Sequence, residues 1–410
     1  LKTYKHLFEK VIEYENINTA ISNSSLSKRN RKNVQDILNN RDKHIKKIQQ
    51  LLIERKWKPR KHTAEEISDG SCHKKRIIVR PDYAYEQIIH HCVIQVLTPI
   101  FMKGMYECSC GSIPNRGAKL GKRCLERYIR KNNVSNPPKN SKYRKQNLKY
   151  VLKIDIHHFF QSINTKILYE KFAKIIKDDN MLWLLETILT SNIVVYHGED
   201  INVGLPIGYY TSQWFANFYL QNLDHFIKEK LHIRCYIRYI DDMVMFGCNK
   251  RDLHKCLAAI KKELKEIDLK LKDNYQIFRF DYIDKDGKRK GRCIDFIGFK
   301  FYRDKTLLRK KIMFKAIRKT KAVKRKLKLT WYDACQLLSY LGYFKHSNTY
   351  KIKEKYILTK ISVKSCKQVI SKHSKSLNLK KIEKCNKIVA KGETNDSNTI
   401  QNSGKSCKAA

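Results

Sequence analysis

No apolar run in this 410-residue chain approaches the ~20 residues needed to cross a bilayer, so a membrane-spanning role is not expected. The opening Leu1-Lys-Thr-Tyr-Lys is polar rather than leader-like, and the expected setting is the cytoplasm, with no membrane partner. Acidic residues are scarce: 39 Asp and Glu stand against 86 Lys and Arg, a formal charge of +47. That excess is larger than solubility requires and implies a polyanionic partner, nucleic acid before a membrane surface. Paired cysteines are missing as well. Thirteen occur, an odd number, and none lies in a Cys-x-x-Cys pair. Cys108 and Cys110, with Cys72, His73 and Cys92 upstream, fit no standard zinc spacing. Free thiols in a reducing compartment are expected rather than a disulfide framework. No internal repeat is present.

What is there divides along the chain. Residues 1–60 have helical periodicity, with Leu7, Val11, Ile12 and Tyr14 on one segment and Val34, Ile37, Leu38, Ile45, Ile48, Leu51 and Leu52 on another, joined by a polar linker from Asn23 to Lys32. Residues 61–150 mix short strands with helix, and Asn132 to Gln146 has the composition of a surface loop. Strand-like runs dominate residues 147–302. From Arg303 to Lys328 thirteen basic residues meet one acid, Asp304, over an intermittent apolar stripe, which predicts a basic helix. Trp331 to Lys345 predicts a packed helix. The remainder, 351–410, reads as a basic tail, disordered at least beyond Lys391.

The chemistry concentrates in Cys235-Tyr-Ile-Arg-Tyr-Ile-Asp-Asp-Met-Val-Met-Phe246. Asp241 and Asp242 are adjacent like charges between apolar flanks, an arrangement tolerated mainly when something strongly positive neutralises it. The flanks predict strands with the pair at a hairpin tip. A third carboxylate, Asp155, ends the alternating run Tyr150-Val-Leu-Lys-Ile-Asp, and a helix is predicted over Ile163–Ile176. Together the three suit a pair of Mg2+ ions about 3.5–4 Å apart, and hence phosphoryl transfer. Between them, Gly204-Leu-Pro-Ile-Gly-Tyr-Tyr-Thr-Ser-Gln-Trp-Phe-Ala-Asn217 leads into an amphipathic helix through Leu231. Gly208 is suited to a close backbone approach to a ligand, and the plainer reading is a turn with an N-cap at Thr211 or Ser212. His90-His91 and His157-His158 are read as surface or packing residues.

Asp155 with Phe159-Phe160, then Gly204-Leu-Pro-Ile-Gly with Ser212-Gln213, then Tyr239-Ile-Asp-Asp242 resemble, in order and spacing, the three palm motifs of reverse transcriptases. Ile294-Asp-Phe-Ile-Gly-Phe-Lys-Phe301 resembles the later primer-contacting motif, Lys74-Lys-Arg-Ile77 the basic fingers motif, and Ser112-Ile-Pro-Asn-Arg-Gly117 the adjoining template-side motif. The resemblance implies an α+β right-hand polymerase: an N-terminal helical extension (1–60), fingers (61–150), a palm with an antiparallel sheet and a fingers insertion (151–302), a thumb (303–350) and the tail (351–410). It implies that Asp155, Asp241 and Asp242, with the backbone carbonyl of Ile156, hold two Mg2+ ions. Lys74 and Arg76 would pair with triphosphate oxygens, while Phe160 would exclude a ribose 2′-hydroxyl. Ile207 and Gly208 would border the nucleotide, and Arg116, Ser212, Gln213, Tyr239, Met243 and Gly298 the primer or template. Lys270 and Lys272 compete as the general acid. Implied partners are an RNA template, a DNA or RNA primer and deoxynucleotides.

Within the family, Ile207-Gly-Tyr-Tyr-Thr-Ser-Gln213 replaces the commoner Gln-Gly-x-x-x-Ser-Pro and is most similar to the polymerases of diversity-generating retroelements. Tyr4-Lys-His-Leu-Phe-Glu-Lys and Ser339-Tyr-Leu-Gly-Tyr-Phe-Lys-His-Ser-Asn-Thr-Tyr350 also resemble that group. That branch implies a bacterial or phage-encoded enzyme working with a structured template RNA and a small basic helical accessory protein. The alternatives are a phage-defence or group II intron-like reverse transcriptase, or a catalytically inactive nucleic-acid-binding protein on the same fold. The Asn-Ala-x-x-His motif of retron polymerases is not evident, nor is an endonuclease motif or zinc-finger tail.

Overall fold

Glu13 divides the first amphipathic stretch into two helices, α1 (Leu7–Ile12) and α2 (Tyr14–Ser24), because its backbone is extended where the helix would continue. Asn40 interrupts the second stretch, giving α3 (Lys32–Asn39) and α4 (Arg41–Ile53) instead of the single helix its periodicity predicts. The computed structural model describes residues 2–69, 74–131 and 148–376; the expected loop at 132–146 and the tail beyond 391 lie outside them. The chain divides into two compact units, Leu1–Cys293 and Ile294–Ala410.

In the first unit, β1 (Ala64–Asp69) and β2 (Lys74–Val79) form an antiparallel hairpin. Helices α5 (Ile88–Gly104) and α6 (Ala118–Lys131) follow, then β3 (Tyr150–Asp155), a short α7 (Phe159–Ser162), α8 (Thr165–Ile175) and α9 (Asp179–Leu189). A second small hairpin, β4 (Ile193–Tyr196) with β5 (Glu199–Asn202), precedes α10 (Tyr210–Tyr219) and α11 (Gln221–His225). Strands β6 (Tyr236–Tyr239) and β7 (Asp242–Gly247), helix α12 (Lys250–Lys265) and β8 (Gln276–Arg279) complete the frame. The central sheet has the order β6-β7-β3-β8, and each neighbouring pair is antiparallel. Side chains alternate between its faces. Leu152, Ile154, Met243 and Met245 share one core with Phe172 of α8, Phe215 of α10 and Ile260 of α12. The alternate positions, Lys153, Asp155 and Asp242, fall on the other face.

The N-terminal helices pack on α5, with Val11, Ile17, Ile21, Ile89 and Val93 fully buried. One carboxylate ties this layer down. Asp178 Oδ2 accepts from the backbone N–H of Leu7 at 2.7 Å and of Phe8 at 2.9 Å, at the start of α1. Its Oδ1 accepts from Met181 N at 3.0 Å, at the start of α9. A single negative charge thus satisfies unpaired donors at two helix N-termini.

The second unit opens with a three-stranded antiparallel sheet, Ile294–Phe296, Phe299–Phe301 and Thr306–Leu308. It continues through the expected basic helix α13 (Lys310–Lys324) and packed helix α14 (Trp331–Lys345), with a further helical stretch over 363–376. Ala316, Thr320 and Val323 are the buried face of α13. Buried Asp333 pins two cations of this basic stretch, Lys319 of α13 and Lys326 just past its end, each at 2.7 Å. Those lysines hold its carboxyl well below the usual carboxylate range.

Asp178→Ala is expected to cost about 1–3 kcal/mol, because two caps are lost at once. Urea unfolding measures the loss, and limited proteolysis should show faster cleavage around α1.

Candidate active site

Period-two alternation carries β3 to its last residue with Asp155 on the face away from the helices, and antiparallel pairing does the rest. The register sets Asp155 opposite Asp242, and Tyr239 opposite Asp242 on the other side. Ile240 and Asp241 form the turn between β6 and β7, with Ile240 in the left-handed region at φ 58°. Ile156 N donates to Asp241 O at 3.4 Å, and Lys272 N donates to Asp155 O at 2.8 Å. The three aspartates read from the sequence therefore meet at one end of one sheet.

Their electrostatics follow from that meeting. Burial pushes the Asp242 carboxyl up to about 6, Lys153 opposing and Asp155 adding to the rise. Burial, and then the facing Asp155, push the Asp241 carboxyl up. Two lysines partly compensate: Lys272 Nζ lies 2.7 Å from Asp155 Oδ1 and Lys153 Nζ 3.4 Å from Asp242 Oδ2. Among the described residues, Asp242 Oδ1 is buried with no hydrogen-bond partner. A buried carboxylate oxygen without a donor is costly, and a hard cation is its natural complement. Among the described residues no three Asp, Glu, His or Cys side chains already surround one point as an ion's ligands. Asp155 is turned onto Lys272 and Asp242 onto Lys153, as expected of carboxylates balanced by the nearest ammonium groups. The donor set, three carboxylates and a free buried oxygen, fits a divalent ion such as Mg2+.

The neighbouring residues separate by geometry. Lys272 reaches Asp155, whereas Lys270 is exposed and contributes its carbonyl to His157 N at 2.8 Å. Val79, at the end of β2, donates to Ile207 O at 2.8 Å, and Leu205 N donates to Phe160 O at 2.8 Å. Phe160, Ile207, Gly208 and β2 are thereby brought to one neighbourhood. Gly208 has φ 126°, and a Cβ there would stand 2.0 Å from Val79 O; the close approach it permits is to β2. Lys74 and Arg76 both lie on β2, with Arg76 exposed. Helix α10 starts at Tyr210 with no side-chain cap, so the N-cap expected at Thr211 or Ser212 does not form. Ser212 is buried instead and donates to Pro206 O at 2.7 Å, closing the loop, while Gln213 is exposed. Met243 is buried in the core beneath the sheet and Tyr239 is half-buried on the opposite face. Arg116 donates to Tyr106 O, and at 3.4 Å to Ser109 O. It lines a cavity of about 450 Å³ with Arg123, Arg127 and Arg130. Gly298, in the second unit, has φ 88° beside Ile297 at φ 44°, a two-residue hairpin turn of its own sheet. His90 is buried and His91 stacks on Tyr210 at 3.8 Å, both packing residues. Lys153 went unnoticed in the sequence, although its place two residues before Asp155 on a strand puts it on the same face.

Asp242 ionises near pH 3.8 in an unconstrained chain and near 6 when folded. The cost of holding it charged is therefore present above about pH 6 and absent below about pH 4. In EDTA, Asp242→Asn is expected to be more stable than the parent chain by about 1–3 kcal/mol at pH 7.5, the difference vanishing near pH 4. Urea unfolding at the two pH values checks this.

Comparison with known proteins agrees with this geometry. The family described as "Reverse transcriptase (RNA-dependent DNA polymerase)" matches residues 60–301. The retron Ec73 reverse transcriptase of Escherichia coli is 29% identical over 144 residues, covering 32% of this chain and 43% of that protein. The chain thus spans less than half the length of that curated relative. Among solved structures, an apo telomerase from Candida tropicalis aligns with TM-score 0.44 and 14% identity, over 59% of this chain and 53% of that one. A telomerase from Candida albicans in complex with a telomeric RNA fragment aligns with TM-score 0.42 and 13% identity, over 73% and 56%. With its family match running from β1 through the carboxylate-bearing sheet, the chain belongs to the reverse transcriptase family.

Proposed function

We propose that this protein is an RNA-directed DNA polymerase that copies a primed RNA template into cDNA from deoxynucleotides. The observation that carries the reading is the convergence of Asp155, Asp241 and Asp242, with a buried Asp242 oxygen that no protein donor satisfies. Asp155, Asp241, Asp242 and the carbonyl of Ile156 are the residues to hold two Mg2+ ions. Such ions, when bound, supply charge neutralisation for a primer 3′-oxygen and for the departing pyrophosphate.

The rest of the site binds and orients. Arg76 and Lys74, both on β2, suit triphosphate oxygens, Arg76 through a bidentate fork. Phe160, next to Ile207 and Gly208 through the Leu205 N–Phe160 O bond, is the ring we assign to excluding a ribose 2′-hydroxyl. Lys272, on Asp155 at 2.7 Å, is the better placed of the two candidate lysines to hold a proton for the leaving group. The right-hand division into fingers, palm, thumb and tail goes with this reading. Helix α13 then supplies a phosphate-binding surface whose grip is salt-sensitive and sequence-neutral.

The branch we favour is a diversity-generating retroelement, with a structured template RNA and a small basic accessory protein. Its support is Ile207 in place of the commoner glutamine: isoleucine offers no hydrogen bond near the nucleotide, which loosens discrimination against mispairs. A retron-type or other bacterial reverse transcriptase is the second reading, favoured by the match to the E. coli retron enzyme.

Asp241→Asn is expected to lower deoxynucleotide incorporation on a primed RNA by about 10³-fold or more; activity equal to the parent would remove the metal-site reading. Copying in that branch is error-prone at template adenines, so cDNA from Ile207→Gln should show fewer errors opposite adenine, and an unchanged error spectrum would count against the retroelement branch.

A further inference from the structure

Beneath the catalytic turn lies a side chain that no part of the proposed chemistry uses. Arg238 is fully buried on the helix-facing side of β6, one residue before Tyr239. All five of its N–H donors are engaged. Nε and Nη2 meet the two oxygens of buried Asp224 at 2.8 and 2.5 Å. Nη2 also donates to Ser109 Oγ at 3.0 Å, and Nη1 to Asn217 Oδ1 at 3.0 Å. The fifth bond, from Nη1, goes to the backbone carbonyl of Ile240 at 3.1 Å. Asp224 is matched as completely, accepting also from Tyr236 OH at 2.6 Å and Ser109 Oγ at 2.7 Å. A guanidinium fork is rigid and planar, so two bonds to Asp224 fix where the other three point.

What that fork holds is strained. Ile240 is β-branched, yet its φ is 58°, a region such residues seldom occupy without outside constraint. It immediately precedes Asp241. A second constraint comes from the opposite side. Gly111 lies so close that a Cβ there would stand 2.3 Å from Ile240 Cγ1 and 2.8 Å from Ile240 N. The carbonyl of Gly111 accepts from Asn217 Nδ2 at 3.0 Å, so the residue that receives Arg238 also holds Gly111. Residues 108–110 run alongside β6, Cys110 N donating to Arg238 O at 2.8 Å and Arg238 N to Cys108 O at 3.0 Å.

We propose that Arg238, oriented by Asp224, is a positioning residue for the catalytic turn: by holding the Ile240 carbonyl it keeps Ile240 left-handed and aims Asp241 back toward Asp155. Through Ser109 and Asn217–Gly111 the same fork locks the turn to the segment leading into Ser112–Gly117. The inference rests on the metal-binding reading of Asp241 given above.

The test uses the full chain, two variants at the turn and one control. Ile240→Pro forbids the left-handed φ and leaves the fork's side-chain partners in place. Arg238→Lys keeps the charge on Asp224 and loses the fork. Tyr236→Phe removes one bond to Asp224 without touching the turn. MnCl2 alone, titrated calorimetrically into substrate-free protein, reads metal affinity, and steady-state incorporation on a primed RNA reads kcat and KM. Ile240→Pro and Arg238→Lys are expected to weaken Mn2+ binding and lower kcat by about 10–100-fold each, with KM for deoxynucleotide changed less than about twofold. Tyr236→Phe should lower Tm while Mn2+ affinity and kcat stay at the parent level. Unchanged Mn2+ affinity and kcat in Ile240→Pro would overturn the positioning role, even if Arg238→Lys fails to fold. Asp241→Asn, run beside them, separates the two failures: if it remains fully active, the metal-binding reading itself has failed.

Discussion

Asp155 and Asp242 face each other across adjacent antiparallel strands, and the rest of this end of the molecule answers that juxtaposition. Like charges at that spacing, partly removed from water, repel and resist ionisation. Lys153 and Lys272 supply part of the counter-charge from the same face and from the neighbouring chain segment. What they leave unmet is one buried oxygen of Asp242. A site that is electrostatically incomplete in isolation is poised for a cation and an anionic substrate together, which is the requirement of phosphoryl transfer.

Holding such a cluster requires rigidity on the other side of the sheet. There the structure places a neutral, fully satisfied pair, Arg238 with Asp224, where every donor and acceptor is matched. Buried ion pairs contribute little net stability, but they are specific about geometry. The contrast is instructive: charge on the solvent-facing side of the turn is left deliberately unsatisfied, and charge on the core side is satisfied to the last hydrogen bond. Functional frustration and structural order sit on opposite faces of one hairpin, Asp242 beside Met243, the cross-strand partner of Arg238, because a strand sends successive side chains to opposite faces.

Much of this was legible in the residues. The alternating run into Asp155 makes a strand, Tyr236–Tyr239 and Asp242–Gly247 make the hairpin, and α13 and α14 form where basic and apolar periodicities predict them. Helix breaks at Glu13 and Asn40 were not legible, since neither residue interrupts the apolar spacing. Nor was the role of Gly208, whose close neighbour is the backbone of β2. Ser212, which resemblance places at the primer or template, instead closes its own loop. Met243, placed there by the same resemblance, packs in the core.

Local order is written in the chain itself: alternation specified which residues share a face, and the charge balance led to the expectation of a polyanion partner. Pairing is another matter. Asp155 and Asp241 are 86 positions apart, and no periodicity says which strand will lie beside which, or in what register. Only the closed sheet, its inner face sealed by Phe172, Phe215 and Ile260, brings the aspartates together, because a slip of one residue would turn every buried side chain outward. The same closure decides that Arg238, indistinguishable in the sequence from dozens of other cations, is among the described residues the fully buried one, with five hydrogen bonds to four residues.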